Sequence, residues 1–283
     1  NWKLFISNQH YANVVSLLAL RKIKDLKIIV VDRIDISELR KFYNISNYIK
    51  NIIVLLLVKF LYRFADAIIS NSKSAKVDIE KITKSKVINI SPPSILKLNK
   101  NKFKPKLKKQ IQILTVGSLV KGKGVDTMIK SLSFLKSKNF IFKVAGDGEE
   151  KKSLQKLIKK LRLTDKVKLL GWRNKVEELY INSDLFIHAS HQEGFPNSIV
   201  EAINFNLPVI ASNCKGGTRE ILTNGKGGDL FPVNNHKILA YKINNFMKNQ
   251  DNLNKKLKFA RKHISKYTVE NNYKKFIKIF NIV

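Results

Sequence analysis

Acidic residues, histidine and cysteine are scarce in this 283-residue chain: 21 Asp and Glu face 54 Lys and Arg, with five His and one Cys. The single cysteine, Cys214, excludes an internal disulfide framework, fits a reducing compartment, and has no partner base in view that would make it a nucleophile. No Asp-x-Asp pair occurs, and His188 and His191 stand before Glu193 without a further ligand, so no metal site is expected. The longest apolar run, residues 52–62, is interrupted by Lys59 and flanked by Lys50 and Arg63. It is too short to cross a bilayer and reads as a buried or interfacial helix. Arginine supplies 8 of the 54 basic residues, and neither Arg clusters nor aromatic platforms accompany the lysines. A basic nucleic-acid-binding protein is therefore only the compositional alternative.

What remains is a lysine-rich globular chain. Its net charge of +33 is spread over the whole length, together with many Asn and Ile, and reads as solvated surface with a bias toward anionic membrane. An apolar content of 44% is that of an ordinary globular chain, and this length permits one large or two medium domains with ample core.

Short apolar runs alternate with helical periodicity throughout. Strands are expected at 3–7, 27–31, 66–70 and 86–90, with helices at 11–22, 46–64 and 75–83. Ser91-Pro92-Pro93 closes this block, and a lysine-rich linker follows at 96–109. A second block places strands at 110–116, 140–145, 166–170, 184–189, 207–211 and 229–231, with helices at 125–135, 149–161, 176–181, 196–204 and 218–222. Such alternation means parallel sheets covered by helices, so the expected class is α/β. The boundaries are 1–95, 96–109, 110–262, and a C-terminal helix at 263–283.

The chain pivots on Gln192-Glu193-Gly194-Phe195-Pro196-Asn197-Ser198-Ile199-Val200-Glu201-Ala202, a loop running from a buried strand into a helix. Pro196 stands where a first helical residue is favoured, because its missing N–H costs nothing there. The N–H groups of Asn197, Ser198 and Ile199 would then point outward as an anion seat. Glu193 and Glu201 frame that seat as two hydroxyl-accepting carboxylates. Earlier, Gly117-Ser118-Leu119-Val120-Lys121-Gly122-Lys123-Gly124 nearly spells a Walker A loop, but Gly124 replaces the hydroxyl that Mg2+ binding requires. Gly146-Asp147-Gly148 lacks the last glycine of a dinucleotide fingerprint, since Lys151 stands at that position. Asp32 and Arg33 end the second strand and should face a ligand cleft at the carboxyl edge of the first sheet.

The Glu-x7-Glu segment with Gly-Phe-Pro inside it resembles the donor-site signature of the family-4 retaining glycosyltransferases of GT-B fold. That resemblance implies two Rossmann-like domains, the first incomplete here because the family's opening strand–helix units and glycine-rich loop are not seen before Asn1. It implies that Glu193 bonds the transferred sugar, Glu201 the ribose, and the start of the helix the diphosphate. Lys123 matches one cation of the family's clamp, while Ser118 replaces the usual Arg, leaving that charge to another group such as Lys121. Gly117 lies in the same loop, and Gly171-Trp172-Arg173-Asn174 resembles the loop beside the nucleobase, with Trp172 either there or in packing. Asp32-Arg33-Ile34 resembles the acceptor-side triplet of some members, and the last helix is expected to return to the first domain. The implied reaction transfers a hexosyl or N-acetylhexosaminyl group from a nucleotide sugar, UDP-linked by the form of the 213–220 loop. The acceptor would be a glycan or polyprenyl-linked glycan in bacterial surface polysaccharide synthesis, at the cytoplasmic face of the membrane. No metal or other cofactor is expected. A nucleotide-sugar-binding fragment without turnover is the other reading.

Overall fold

The computed structural model describes residues 3–33, 35–40, 44–100 and 110–281. Ile34 and most of the expected linker, 101–109, lie outside the described residues. The chain divides into two compact units. One comprises residues 1–93, 193–195 and 269–283, the other residues 94–192 and 196–268.

The first unit runs β1 (Leu4–Asn8), α1 (His10–Leu20), β2 (Lys27–Asp32), α2 (Ile45–Leu61), β3 (Ala67–Ser70), α3 (Lys73–Thr83) and β4 (Val87–Asn89). Its sheet has the order β1-β2-β3-β4, every pair parallel. Strands added always on the same side, through right-handed crossovers, put every crossover helix on one face. The core follows that rule. Along β2, Ile28 and Val30 join a cluster with Val14, Leu17, Val54, Val58 and Ile79 of the crossover helices. The alternate residues Ile29 and Val31 point to the other face, as the two-residue period of a strand demands. That second face would be wet without a helix from elsewhere in the chain. It is covered by Ile279 and Phe276 of the final helix, Val269–Phe280, which pack with Ile29, Val31 and Ile69.

The second unit runs β5 (Ile111–Val116), α4 (Val125–Ser133), β6 (Phe140–Ala145), α5 (Lys151–Lys160), β7 (Val167–Gly171), α6 (Glu177–Ile181), β8 (Leu185–His188), α7 (Asn197–Asn204), β9 (Val209–Ser212), α8 (Gly217–Ile221), β10 (Asp229–Phe231), α9 (His236–Lys248) and α10 (Asp251–Lys262). The final helix of the first unit is then α11 (Val269–Phe280). The order β10-β9-β8-β5-β6-β7, all parallel, reverses direction between β5 and β8. The central strand β8 is buried at all four residues, which is why it reads as an unbroken apolar run.

Three boundaries differ from the sequence expectation. The first unit ends at Pro93 rather than 95, because Ile95 pairs with Thr268 and is buried. The last helix starts at Val269, not 263, since Ile264–Tyr267 form a short 3-10 turn within the second unit. The start of the linker is a strap, not a free tether. Ser94 Oγ donates to Asn197 Oδ1 at 2.8 Å, and Asn99 N donates to Asn204 Oδ1 at 3.0 Å, at the two ends of α7. Its lysines hid these contacts, which depend on two asparagines a hundred residues downstream.

Arg261 closes the same assembly. Its Nη1 donates to the carbonyls of Ile203 and Asn204 at 3.0 and 2.6 Å, and its Nη2 to Asn99 O at 2.6 Å. A cation on the orphan carbonyls of a helix end is favourable both as hydrogen bonding and against the helix dipole. Replacing Arg261 by Met should therefore cost about 2 kcal/mol, read from urea unfolding midpoints.

Candidate functional site

In a doubly wound sheet, the crevice opens at the carboxyl ends of the two strands that flank the reversal of strand order. Here those strands are β5 and β8. The loop after β5 carries Gly117, Ser118 and Lys123, and the loop after β8 leads into α7. Sequence positions about seventy apart thus meet at one edge.

The two loops dock backbone to backbone. His191 N donates to Gly122 O at 2.8 Å, and Gly124 adopts φ +63°. A Cβ on Gly124 would lie 2.2 Å from Ala189 O. The steric demand that makes this residue glycine is the same that removes a Walker-type hydroxyl from the loop. On the other side, a Cβ on Gly146 would lie 1.9 Å from Gly117 O, and one on Gly148 2.5 Å from Leu119 O. Leu119 N donates to Asp147 O and Glu150 N to Leu119 O, both at 2.9 Å. The Gly-Asp-Gly turn, which the sequence offered only as a failed dinucleotide motif, is a buttress for the Lys123 loop. Lys123 itself ends a 3-10 turn at Lys121–Lys123 and is half-buried.

At α7, Pro196 is the extended residue just before the helix (φ −80°, ψ 92°), not its first helical residue. Its carbonyl, turned inward by that ψ, accepts from Ile199 N at 3.1 Å. Ile199 therefore drops out of the expected anion seat. The amides of Asn197 and Ser198 remain as first-turn donors with no acceptor inside the helix. The Asn197 side chain is held by Ser94. Glu193, Gly194 and Phe195 group with the first unit, Glu193 half-buried and Phe195 buried.

Glu201 sits farther along α7, mostly buried. Tyr180 Oη donates to Glu201 Oε2 at 2.8 Å, while the Tyr180 ring stacks on Phe205 with centroids 5.6 Å apart. Burial pushes the Glu201 carboxyl above the ordinary carboxylate range, and the Tyr180 bond pulls it partly back. Burial and the charge of Glu201 push the Tyr180 hydroxyl up, so it stays a donor. Tyr180 was not legible as a site residue: it lies in a short helix twenty-one positions upstream, and nothing in that helix's pattern points to Glu201. Its only signal is a buried aromatic with a polar end that must find a partner.

Arg173 and Trp172 follow β7, the outermost strand, two strands from β5. Both are exposed, Trp172 at 70%, so Trp172 is not a packing residue. The loop still touches its neighbours, since Gly146 N donates to Gly171 O at 2.9 Å.

Asp32 corrects an expectation. Instead of facing a cleft it is fully buried, with Oδ1 accepting from Asn13 Nδ2 at 3.0 Å and Tyr62 Oη at 2.9 Å, and His10 Nδ1 2.7 Å away. These partners lie at the start of α1 and just past the end of α2, which the sequence pattern could not bring onto β2. Arg33, next in the chain, is exposed and donates from Nε to Asn8 Oδ1 at 3.2 Å. Among the described residues no three His, Cys, Asp or Glu side chains gather into a metal-holding group.

Two outcomes follow from this geometry. Gly124→Ala should destabilise the chain by about 3 kcal/mol through the left-handed backbone and the clash with Ala189, whereas Gly122→Ala, in open space, should leave urea unfolding nearly unchanged. For Glu201, a folded-state pKa above the unfolded one means that its stabilising contribution is full below the unfolded pKa and is lost as pH rises through the folded one. Tyr180→Phe removes the bond to the ionised form. The variant should lose about 2 kcal/mol relative to the parent above that pKa and distinctly less in acid, as pH-dependent melting would show.

The profile of the family "Glycosyl transferases group 1" matches residues 98–263. An uncharacterized glycosyltransferase of Methanocaldococcus jannaschii is 33% identical over 187 residues, 60% of this chain and 45% of that protein. The 4-alpha-N-acetylgalactosaminyltransferase of Campylobacter jejuni that acts on an N-acetylgalactosamine-N,N'-diacetylbacillosaminyl-diphospho-undecaprenol is 29% identical over 197 residues, 67% of this chain and 53% of that protein. The chain thus spans about half the length of the curated relatives it matches. Among solved structures, Anabaena HepE in complex with UDP-glucose superposes with a TM-score of 0.82 at 21% identity, covering 99% of this chain and 79% of that one, a likeness of fold. With more than half of its length matched by the family profile, the chain belongs to the group 1 glycosyl transferases, built on the GT-B fold of two parallel-sheet units.

Proposed function

We propose that this chain binds a nucleotide sugar, UDP-linked, and transfers its hexosyl or N-acetylhexosaminyl group with retention to a glycan or polyprenyl-linked acceptor in bacterial surface polysaccharide synthesis. The observation that carries the reading is the docking of the Lys123 loop against the loop into α7 at the β5–β8 reversal, with Glu201 held by Tyr180 on the same helix. Support for the donor comes from HepE, whose structure holds UDP-glucose, and for the acceptor from the C. jejuni transferase, whose name specifies a diphospho-undecaprenol glycan.

In this reading the bond between the anomeric carbon and the diphosphate oxygen breaks, and the leaving oxygen gathers negative charge. Lys123 and the amides of Asn197 and Ser198 stabilise that charge, and being fixed beforehand they need no reorganisation. Glu201 accepts the ribose hydroxyls, and Glu193 accepts hydroxyls of the transferred sugar. The acceptor oxygen bonds to the anomeric carbon on the face the phosphate leaves. Its proton passes to the departing phosphate oxygen, so no protein base is required and no metal enters the step. Gly117, Ser118, Gly194, Phe195 and Pro196 shape the donor loops, Arg173 stands on the nucleobase side, and Arg33 on the acceptor side. Asp32, being buried, acts only by holding the end of β2 and His10. The reaction is placed in the cytoplasm, at the inner face of the membrane.

A thermal-shift titration with UDP, ADP and GDP tests the donor site. UDP at about a hundred times its Kd should add about 2.7 kcal/mol of stability, and Glu201→Ala should remove most of that gain. Turnover of UDP-sugars separates an enzyme from a binding fragment. If no nucleotide stabilises the chain, the donor reading is wrong.

A further inference from the structure

The helix α2 has two unlike faces. Asn51, Val54, Val58 and Leu61 are buried, three of them in the core of the first unit. On the other side Ile45, Ile49, Ile53, Leu56 and Phe60 are each more than half exposed, and Phe64, just past the end, is 47% exposed. Their spacing of four, four, three, four and four draws one stripe along the helix. The neighbouring helix α1, joined to α2 where Tyr11 Oη donates to Asn51 Oδ1, adds Val15 and Leu18 at 64% and 48% exposure. An apolar surface of this extent on a folded unit calls for an occupant.

The rim identifies that occupant by charge. Neither α1 nor α2 contains an acidic residue. Lys50 lies over the Tyr11 ring at 4.7 Å, Lys59 over Phe60 at 5.6 Å, and Arg21 and Arg63 over Phe64 at 5.4 and 5.0 Å. Aliphatic side chains along a stripe, aromatics at its margin and long cations that snorkel past them form the pattern of a helix lying in the plane of a lipid interface. The stretch Ile45–Phe64 is 20 residues long with a mean hydropathy of 1.5, enough by length and composition to cross a bilayer. Crossing would strip Val54, Val58 and Leu61 from the core, so this geometry fits a helix along a membrane surface rather than through it.

We infer that the exposed faces of α1 and α2 seat the first unit on an anionic lipid bilayer, apolar stripe inserted and cations against the headgroups. The inference deepens the reading of a lipid-linked acceptor but uses none of the donor-site residues, so the two can fail separately. The test is co-sedimentation of the full chain with phosphatidylcholine vesicles and with vesicles that also contain phosphatidylglycerol. It is run on the parent and on an Ile49→Gln/Ile53→Gln/Leu56→Gln variant whose circular dichroism and UDP response are checked beforehand. The expected result is binding to the anionic vesicles, weak binding to the neutral ones, and a loss of about tenfold or more in the variant. Equal binding by parent and variant would mean that dispersed lysines, not this face, hold the vesicle, and would overturn the inference. So would absence of vesicle binding, including the case in which the parent self-associates and the variant is monomeric, which would assign the face to a second copy.

Discussion

The reversal of strand order between β5 and β8 is the constraint on which the second unit depends. Parallel strands joined by right-handed crossovers can change direction only by sending helices to opposite faces, and a gap opens where the two series part. Into this gap run the loop with Lys123 and the loop leading to α7. The candidate site is an elaboration of that opening. Backbone contact at Gly124 and Ala189 closes its floor, and the Gly146–Gly148 turn supports one wall.

The same rules act differently in the first unit. Its strand order never reverses, so α1, α2 and α3 fall on one face and the other is left to α11. Among the described residues, a one-sided helix layer also leaves α1 and α2 with outer surfaces that no later element of the unit covers. That is where the apolar stripe stands, and its cations and lack of acids give the surface a sign. The charge of +33 thus has two components: solvated lysines over the whole chain, and a local set stacked on aromatic rings.

Buried polar groups show how each unit fixes a carboxylate inside it. Glu201 is kept in place by one phenol from α6, Asp32 by groups from α1 and just past the end of α2. In both cases a carboxylate has been drawn out of water and given donors, since an unpartnered buried charge would be costly. For Glu201 the result is a carboxylate whose position is set by the Tyr180 phenol. For Asp32 it is a structural knot that ties β2 to the helices over it.

By itself the sequence determined the alternation of strands and helices, the α/β class and the composition of the two loops at the β5–β8 edge, because period, proline, glycine and charge are local properties. It put the start of α7 within one residue of Asn197 for the same reason. Only the tertiary structure decided that Pro196 caps the helix and takes the amide of Ile199, that Tyr180 reaches Glu201, and that Asp32 turns inward to His10. The last two depend on partners more than twenty residues away, and the first on a single ψ angle. Neither leaves a trace in a hydrophobic pattern, which records which side of an element is buried but not which polar atom it meets there.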